Sequence, residues 1–393
     1  MSGVPVATKF VRDELCWLVY LMIGNYCYLA AGMGPAMNLL SSELHLSYSI
    51  AALHFSAWSL GVLSAGTFGE RIMKKFGKPS AAWMAGTALC GGILVFLSGV
   101  HPVVTILGCL ICGFNGSVMC QSLCTIMADR FAEARVIAIS ESNFVASIFC
   151  SLAPFLIGTC FRSGLNWRIA IVLPIVLFLV FFMVGRPIIA GAYETSPKGV
   201  QADGKLPPFY WLCWLLAMFS VASEWSIIFW GADFLEKVTK LSKADATTSL
   251  TAFLVAMVVA RFIGSRLVRA YPTKLLLRCT SILALCGFLV FWLGHSVYAN
   301  MTGLVLAGLG IANFYPLTLS AAIGSAPEQA GKATSRMSIA TGGATLCAPL
   351  LLGIFAEHSN IFSAYGLVVG LLSICCVIAF LSKWQSRSYT TDV

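Results

Sequence analysis

Sixteen acidic residues are spread over the chain, and nearly all fall in loops or at the ends of long apolar segments. Glu224 is the exception, the one carboxylate clearly inside such a segment, which reads as 208–231. An ionised acid at the centre of a bilayer costs about 2.5–3.5 kcal/mol on insertion scales, so its presence there asks for a reason. Ser220, Ser223, Ile227 and Trp230 follow helical spacing with it, giving a half-polar stripe suited to a cavity wall. Desolvation favours the protonated form of a carboxyl. The chemistry this position offers is uptake and release of a proton, or pairing with a cationic group of a solute. The alternative is a protonated acid hydrogen-bonded between helices for structure.

Other polar and aromatic residues could complete a cavity around it: Asn25, Tyr26 and Tyr28 in the first apolar segment, His54 and Trp58 in the second, Asn115 and Gln121 in the fourth, Asn143 in the fifth, Trp225 and Trp230 beside the acid, and Asn313 and Tyr315 in the tenth. Each has a plainer use as interhelical glue, worth about 0.6 kcal/mol on average. An imidazole such as His54 ordinarily titrates near neutrality, but a lone buried histidine also serves as a packed hydrogen-bond partner.

The elements that must hold these residues are membrane helices. The chain is 59% hydrophobic and only 10% charged, and stretches of about 20 apolar residues, the length a bilayer core demands, recur along it. Spans are expected near 15–40, 47–69, 80–99, 103–127, 138–160, 168–186, 208–231, 246–264, 275–294, 299–324, 335–356 and 361–382. The segment before the first span carries Lys9, Arg12, Asp13 and Glu14 and no cleavage site follows, so that span reads as an anchor that stays.

Adding 195 to the residue number lays the chain back onto itself without a gap. Gly69 and Arg71 meet Gly264 and Arg266, Gly113 meets Gly308, Glu133 meets Glu328, and Ala153, Pro154 and Gly158 meet Ala348, Pro349 and Gly353. The reading is an all-α membrane protein of two pseudo-symmetric six-helix bundles, 1–186 and 208–393. The polar, Pro- and Gly-bearing segment 187–207 reads as a cytoplasmic linker between them. With both termini in the cytoplasm, twenty Lys and Arg fall on the inner side and five on the other: Arg162, Arg168, Lys237, Lys240 and Lys243. That bias sets the orientation, and the net charge of +9 reflects topology rather than nucleic-acid binding. The minimal loops point to a bacterial-type inner membrane.

The loop after the second span runs Gly66-Thr67-Phe68-Gly69-Glu70-Arg71-Ile72-Met73-Lys74-Lys75-Phe76-Gly77-Lys78. It resembles the signature loop of the major facilitator superfamily, Gly-x-x-x-Asp-Arg-x-Gly followed by basic residues, with Glu70 for the usual Asp and Gly77 several residues late. A degraded second copy begins at Gly264-Ser265-Arg266. The resemblance implies alternating access around a midplane site, with span 2 packed on span 11 and span 5 on span 8. On that arrangement two related contacts are expected to close the cytoplasmic side, Glu70 with Arg336 and Glu141 with Arg266 or Arg261, with Arg71 in the same gate. Plain headgroup-level charges are the competing reading. Ala153-Pro154-x-x-x-Gly158 resembles the Gly-Pro motif of the family's drug/proton antiporters, though Ala153 replaces a glycine. Its repeat at Ala348-Pro349-x-x-x-Gly353 fits a helix bend shared by both halves.

No His-Glu-x-x-His or paired intramembrane aspartates mark an enzyme, and Gly32-x-Gly34 lacks the strand and third glycine of a dinucleotide site. A receptor or scaffold would not call for the duplication. Nearly all fifteen cysteines lie in apolar spans, where they act as small hydrophobes, so neither disulfides nor a metal site is expected. The expected function is proton-coupled transport of a small organic solute by a monomer without cofactor, the alternative being drug or metabolite:proton efflux. With no basic residue at the centre, a neutral or cationic solute fits better than a multiply charged anion.

Overall fold

The computed structural model describes residues 12–131, 135–191, 205–326 and 329–381. Most of the expected linker, 192–204, and the matched pair Glu133 and Glu328 lie outside the described residues. The first half of the chain forms α1 (Glu14–Glu43), α2 (Tyr48–Phe76), α3 (Lys78–Ser98), α4 (Pro102–Arg130), α5 (Arg135–Arg162) and α6 (Arg168–Gly191). The second half holds α7 (Pro208–Thr239), α8 (Lys243–Ala270), α9 (Thr273–Leu293), α10 (Val297–Ile311), α11 (Phe314–Ser325), α12 (Ala330–His358), α13 (Ile361–Ala364) and α14 (Gly366–Leu381). Together they make twelve stretches long and apolar enough to cross a membrane. α10 with α11, and α13 with α14, each form one interrupted span.

Several helices outrun the apolar segments that announce them. α2 continues past 69 to Phe76 and α7 past 231 to Thr239. α6 takes in 187–191 of the expected linker. Hydropathy registers only the part that lies in hydrocarbon, whereas a polar turn such as Arg71–Lys75 remains helical on its own hydrogen bonds. The α2–α3 corner is a single residue, Gly77, at φ +79°, a conformation that admits glycine far more readily than other residues.

The duplication is visible in the packing. A Cβ on Gly113 would strike the Trp58 carbonyl, joining α4 to α2, and one on Gly308 would lie 2.7 Å from the Phe253 carbonyl, joining α10 to α8. Gly113 and Gly308 are repeat mates, and so are Trp58 and Phe253. Gly108 approaches the Phe96 amide as Gly303 approaches that of Phe291. Where lipid removes the hydrophobic drive between helices, small residues that let backbones touch carry the association.

The halves meet along two long seams, α2 with α12 and α5 with α8, and α1 also touches α7. A Cβ on Gly34 of α1 would fall 2.7 Å from the Phe229 Cα. The seams are tight at the far end of the bundle, opposite the end where α1 begins and α14 stops. Gly158 packs under Thr248 and the Ala244 carbonyl, and Gly353 under Ala52 and the Tyr48 carbonyl. The α2–α12 seam closes as deep as Leu63 on Gly342, and the α5–α8 seam as deep as Ser147 on Arg261. From Tyr48 to Leu63 and from Arg162 to Ser147 is about 22 Å at about 1.5 Å per residue. Nearer the termini than this, no side-chain hydrogen bond or ion pair joins the halves among the described residues.

Candidate functional site

Glu224 sits at the middle of α7, midway between Pro208 and Thr239. Arg261 of α8 reaches it, Nη2 to Oε1 at 3.4 Å, and donates from Nη1 to the Ser147 hydroxyl of α5 at 2.7 Å. Ser147 in turn donates to the Asn143 carbonyl at 2.8 Å. A charged pair of the second half is thus tied to the first half where the α5–α8 seam ends. The Arg261 side chain is 38% exposed and that of Glu224 15%, so the positive member is the more accessible of the two. This differs from two expectations: a basic residue stands beside the central acid, and Arg261 is paired with Glu224 while Glu141 is paired with Arg12. Arg261 lies well inside α8, as it does inside the expected span 246–264, but near enough to Arg266 and Arg269 to be grouped with the basic residues after that span.

The stripe beside Glu224 is not an open wall. Ser220 and Ser223 donate to the carbonyls of Ala217 and Phe219 in their own helix, and with Ile227 and Trp230 they are buried. Hydroxyls satisfied along the helix can be packed like small apolar groups.

Glu224 is also not the only acid within the span, because α7 continues through Asp233 and Glu236. At the far end Asp233 accepts from the Tyr48 hydroxyl at 2.8 Å and pairs with Lys237 at 3.0 Å, while Asn38 donates to Glu236 at 2.9 Å. Arg162 pairs with Asp245, Lys243 meets Ser42, and the Ser49 amide donates to Glu357 at 2.6 Å. Beneath this layer Phe55 stacks on Phe229 with centroids 4.1 Å apart, and Trp230 closes edge-on at 5.4 Å. Apart from the pairing of Lys237 with Asp233, these contacts join one half to the other. A pocket between Asn38, Ser41, Tyr48, Asp233 and Lys237 lies within this layer. Asp233 is about 13 Å along the α7 axis from Glu224. The i, i+3, i+4 spacing of Asp233, Glu236 and Lys237 is the signal that would have extended the span.

Residues 213–392 match the family model described as Major Facilitator Superfamily. An uncharacterized MFS-type transporter of Yersinia pestis is 21% identical over 355 residues, 88% of this chain and 91% of that protein. Both matches support a membrane transporter of the major facilitator superfamily type. An uncharacterized transporter, y4wD, of Sinorhizobium fredii is 29% identical over 163 residues, a match that spans 43% of that protein's length and 41% of this chain. Among solved structures, a bacterial homolog of the human lysosomal transporter Spinster, in an inward-facing and occupied conformation, superposes with a TM-score of 0.74 at 14% identity, covering 95% of this chain and 97% of that one. The nucleoside transporter NupG does so with a TM-score of 0.71 at 13% identity, covering 94% and 98%. At these identities the likeness is one of fold.

In this transporter most of the expected cavity residues make contacts between or within helices. Asn25 donates to the Pro174 carbonyl and Tyr28 to that of Ala170, tying α1 to α6. His54 is fully buried, bonded to Thr105 of α4 at 2.7 Å and to the Ile50 carbonyl. Asn313 donates to the Ala260 carbonyl at the α10–α11 break, and Trp230 to that of Pro349. Asn115 and Gln121 bond within α4. Tyr26 stacks on Trp58 at 5.5 Å and reaches the Gly113 carbonyl. Trp225 leans on Phe229, and both it and Tyr315, half-buried, pack beside Val221, Ala222, Ala344 and Ala348. Asn143 is exposed.

The expected gate pairs are not made in this conformation. Glu70 pairs with Lys74 of its own helix, with both side chains at least 70% exposed. Glu141 is held by Arg12 at 2.6 Å and by the Tyr20 hydroxyl at 3.1 Å; the carboxylate in turn raises the pKa of Arg12, keeping it charged. Arg71, Arg266 and Arg336 lie over Phe68, Phe262 and Trp211. All five residues stand nearer the termini than Leu63 on Gly342 and Ser147 on Arg261, and each makes its contacts within its own half. The degenerate loop signature keeps its scaffolding role, with Gly69 against Gln121 and Lys78 paired to Asp129.

Proposed function

We propose that this transporter moves a small organic solute by alternating access, coupled to protons through Glu224. The observation that supports this most is the Arg261 bridge: one guanidinium contacts the central acid of its own half and Ser147 of the other. A change in the charge of Glu224 is thereby felt at the joint between the halves. In this reading 1–186 and 208–393 rock as two bundles, with 187–207 between them. With Arg261 inside a span, nineteen Lys and Arg lie on the terminal side against five, which supports cytoplasmic termini and a bacterial-type inner membrane. The protein works as a monomer. With the solute gradient inverted, the same cycle runs backwards and carries solute and proton out together; drug or metabolite:proton antiport is the alternative reading.

The gate pairs belong to the opposite conformation. Glu70 lies two turns beyond Leu63 on α2, and Arg336 just under two before Gly342 on α12; Glu141 lies just under two turns before Ser147 on α5, and Arg266 about one and a half beyond Arg261 on α8. If the seams continue in register toward the termini, these charges meet, and Glu141 exchanges Arg12 for Arg266. Swapping the charges of Glu70 and Arg336 singly should abolish transport and swapping both should restore it; independent losses would sink the pairing.

Counterflow in proteoliposomes tests the main reading, since exchange of unmodified solute marks a carrier. Glu224→Gln should keep exchange and lose accumulation against a gradient. A variant that keeps both accumulation and its pH dependence removes Glu224 from coupling.

A further inference from the structure

We propose that the solute is a monovalent organic anion whose carboxylate is held by Arg261, and that it binds when Glu224 takes up a proton and releases the guanidinium. This rests on the proton-coupled reading of the same site.

The present pair is poorly satisfied. A guanidinium carries five N–H donors in a planar fork, and Arg261 uses one on Ser147 and one on Glu224, the latter at 3.4 Å. Glu224 offers that contact through Oε1 alone. A carboxylate that presents both oxygens to the fork makes two parallel, shorter, charge-assisted bonds and outcompetes such a one-pronged partner. The Arg261 side chain is also the more exposed of the two, 38% against 15%, so the positive partner is the more accessible to a solute.

Charge balance at this depth selects the stoichiometry. α8 and α5 otherwise bring Asp245, Arg162 and Lys243 at the far end and Arg266, Arg269, Arg135 and Glu141 toward the termini, and α9, which also touches α8, has Lys274 and Arg278 in its first two turns. α7 itself adds Asp233, Glu236 and Lys237, also at the far end. α1 has Glu14 and Glu43 at its two ends; α12 has Lys332, Arg336, Glu357 and His358 near its ends; α10, α11, α13 and α14 carry no charged residue, only Tyr298, Tyr315 and the thiols Cys375 and Cys376 as titratable groups. Glu224 and Arg261 therefore neutralise each other or need a substitute. Protonating Glu224 alone would strand Arg261, and a carboxylate restores balance: one proton moves from water to the Glu224 carboxylate, one solute anion replaces that carboxylate on Arg261, and the net charge stays zero. A cation on Glu224 would strand the exposed guanidinium instead. Empty with the pair made, or loaded with proton and anion together, the site is neutral, and these are the two states that can cross between conformations.

The test is binding to purified protein of three matched probes, benzoate, benzamide and benzylammonium, with acetate, acetamide and ethylammonium as a smaller set, read by thermal shift at acidic and alkaline pH. Wild type should respond to the carboxylates, with apparent affinity falling about tenfold per pH unit once Glu224 is mostly ionised, because only the protonated fraction is competent. Glu224→Gln should bind them at the acidic-pH affinity across the range. Arg261→Gln should lose the response, and Arg261→Lys, which keeps the charge without the fork, should bind weakly if the glutamine variant fails to fold. A response to the ammonium probes alone, or to no carboxylate, overturns the proposal and leaves proton coupling to be judged by accumulation. Carboxylate binding that needs Arg261 but ignores pH and Glu224→Gln overturns the proton half and the coupling reading with it.

Discussion

The two seams between the halves are related by the internal repeat, yet they differ at one depth. At the far end they match: Gly158 packs on α8 as Gly353 packs on α2. Deeper in, the α5–α8 seam has Ser147 bonded by Arg261, whereas the equivalent positions of the α2–α12 seam are Gly342 and Gly66, with Leu63 on Gly342. Glu224 likewise has Leu29 as its counterpart. What the halves share is the frame that brings helices together; the charged pair sits where one seam departs from the other.

The largest break in this comparison comes from Arg261→Gln. It leaves Glu224 without its partner inside the bundle, a change that costs about 3–5 kcal/mol for buried pairs and somewhat less for this partly exposed one. Transport assayed in proteoliposomes should fall by about two orders of magnitude or more. Next, Gly158→Leu and Gly353→Leu wedge opposite seams at equivalent points. Overpacking of about 1–3 kcal/mol should oppose closure of the far end in both, seen as loss of a cysteine cross-link between the ends of α1 and α7. Tolerance at one glycine only would break the symmetry. Ser147→Ala removes a bond to a charged donor, about 1.5–3 kcal/mol at most, and should raise KM more than it lowers stability. The matching substitution Gly342→Ser should do little. Smallest is Tyr48→Phe, which deletes the hydroxyl between Asp233 and Lys237; about 1 kcal/mol of far-end closure should be lost, read as weaker cross-linking at the same pair of helix ends.

The fold was legible because its determinants are local and repeated. Hydropathy marks each span, and the glycines that recur in both halves are those at which backbones touch, Gly113 with Gly308 above all. The site was half legible. Glu224 stands out as an acid in an apolar run, but its partner does not, since Arg261 lies near enough to the basic residues after span 8 to be taken for one of them. That its side chain reaches Glu224 and Ser147 follows from the way α8 packs on both α7 and α5, a property no single segment carries. The far-end layer escaped for a related reason: Asp233, Glu236 and Lys237 lower the hydropathy of a helix that they continue. Polar residues in the spans, such as Asn25 and His54, read equally well as solute ligands or as glue, and only their partners, Pro174 and Thr105, distinguish the two.

Proton movement accompanying solute flux tests the central role of the Glu224–Arg261 pair most directly. With a pH-sensitive dye inside proteoliposomes, solute added outside should acidify the lumen for wild type. Glu224→Gln, matched for solute counterflow, should give no pH change. Acidification by Glu224→Gln at the wild-type ratio of protons to solute would contradict the account.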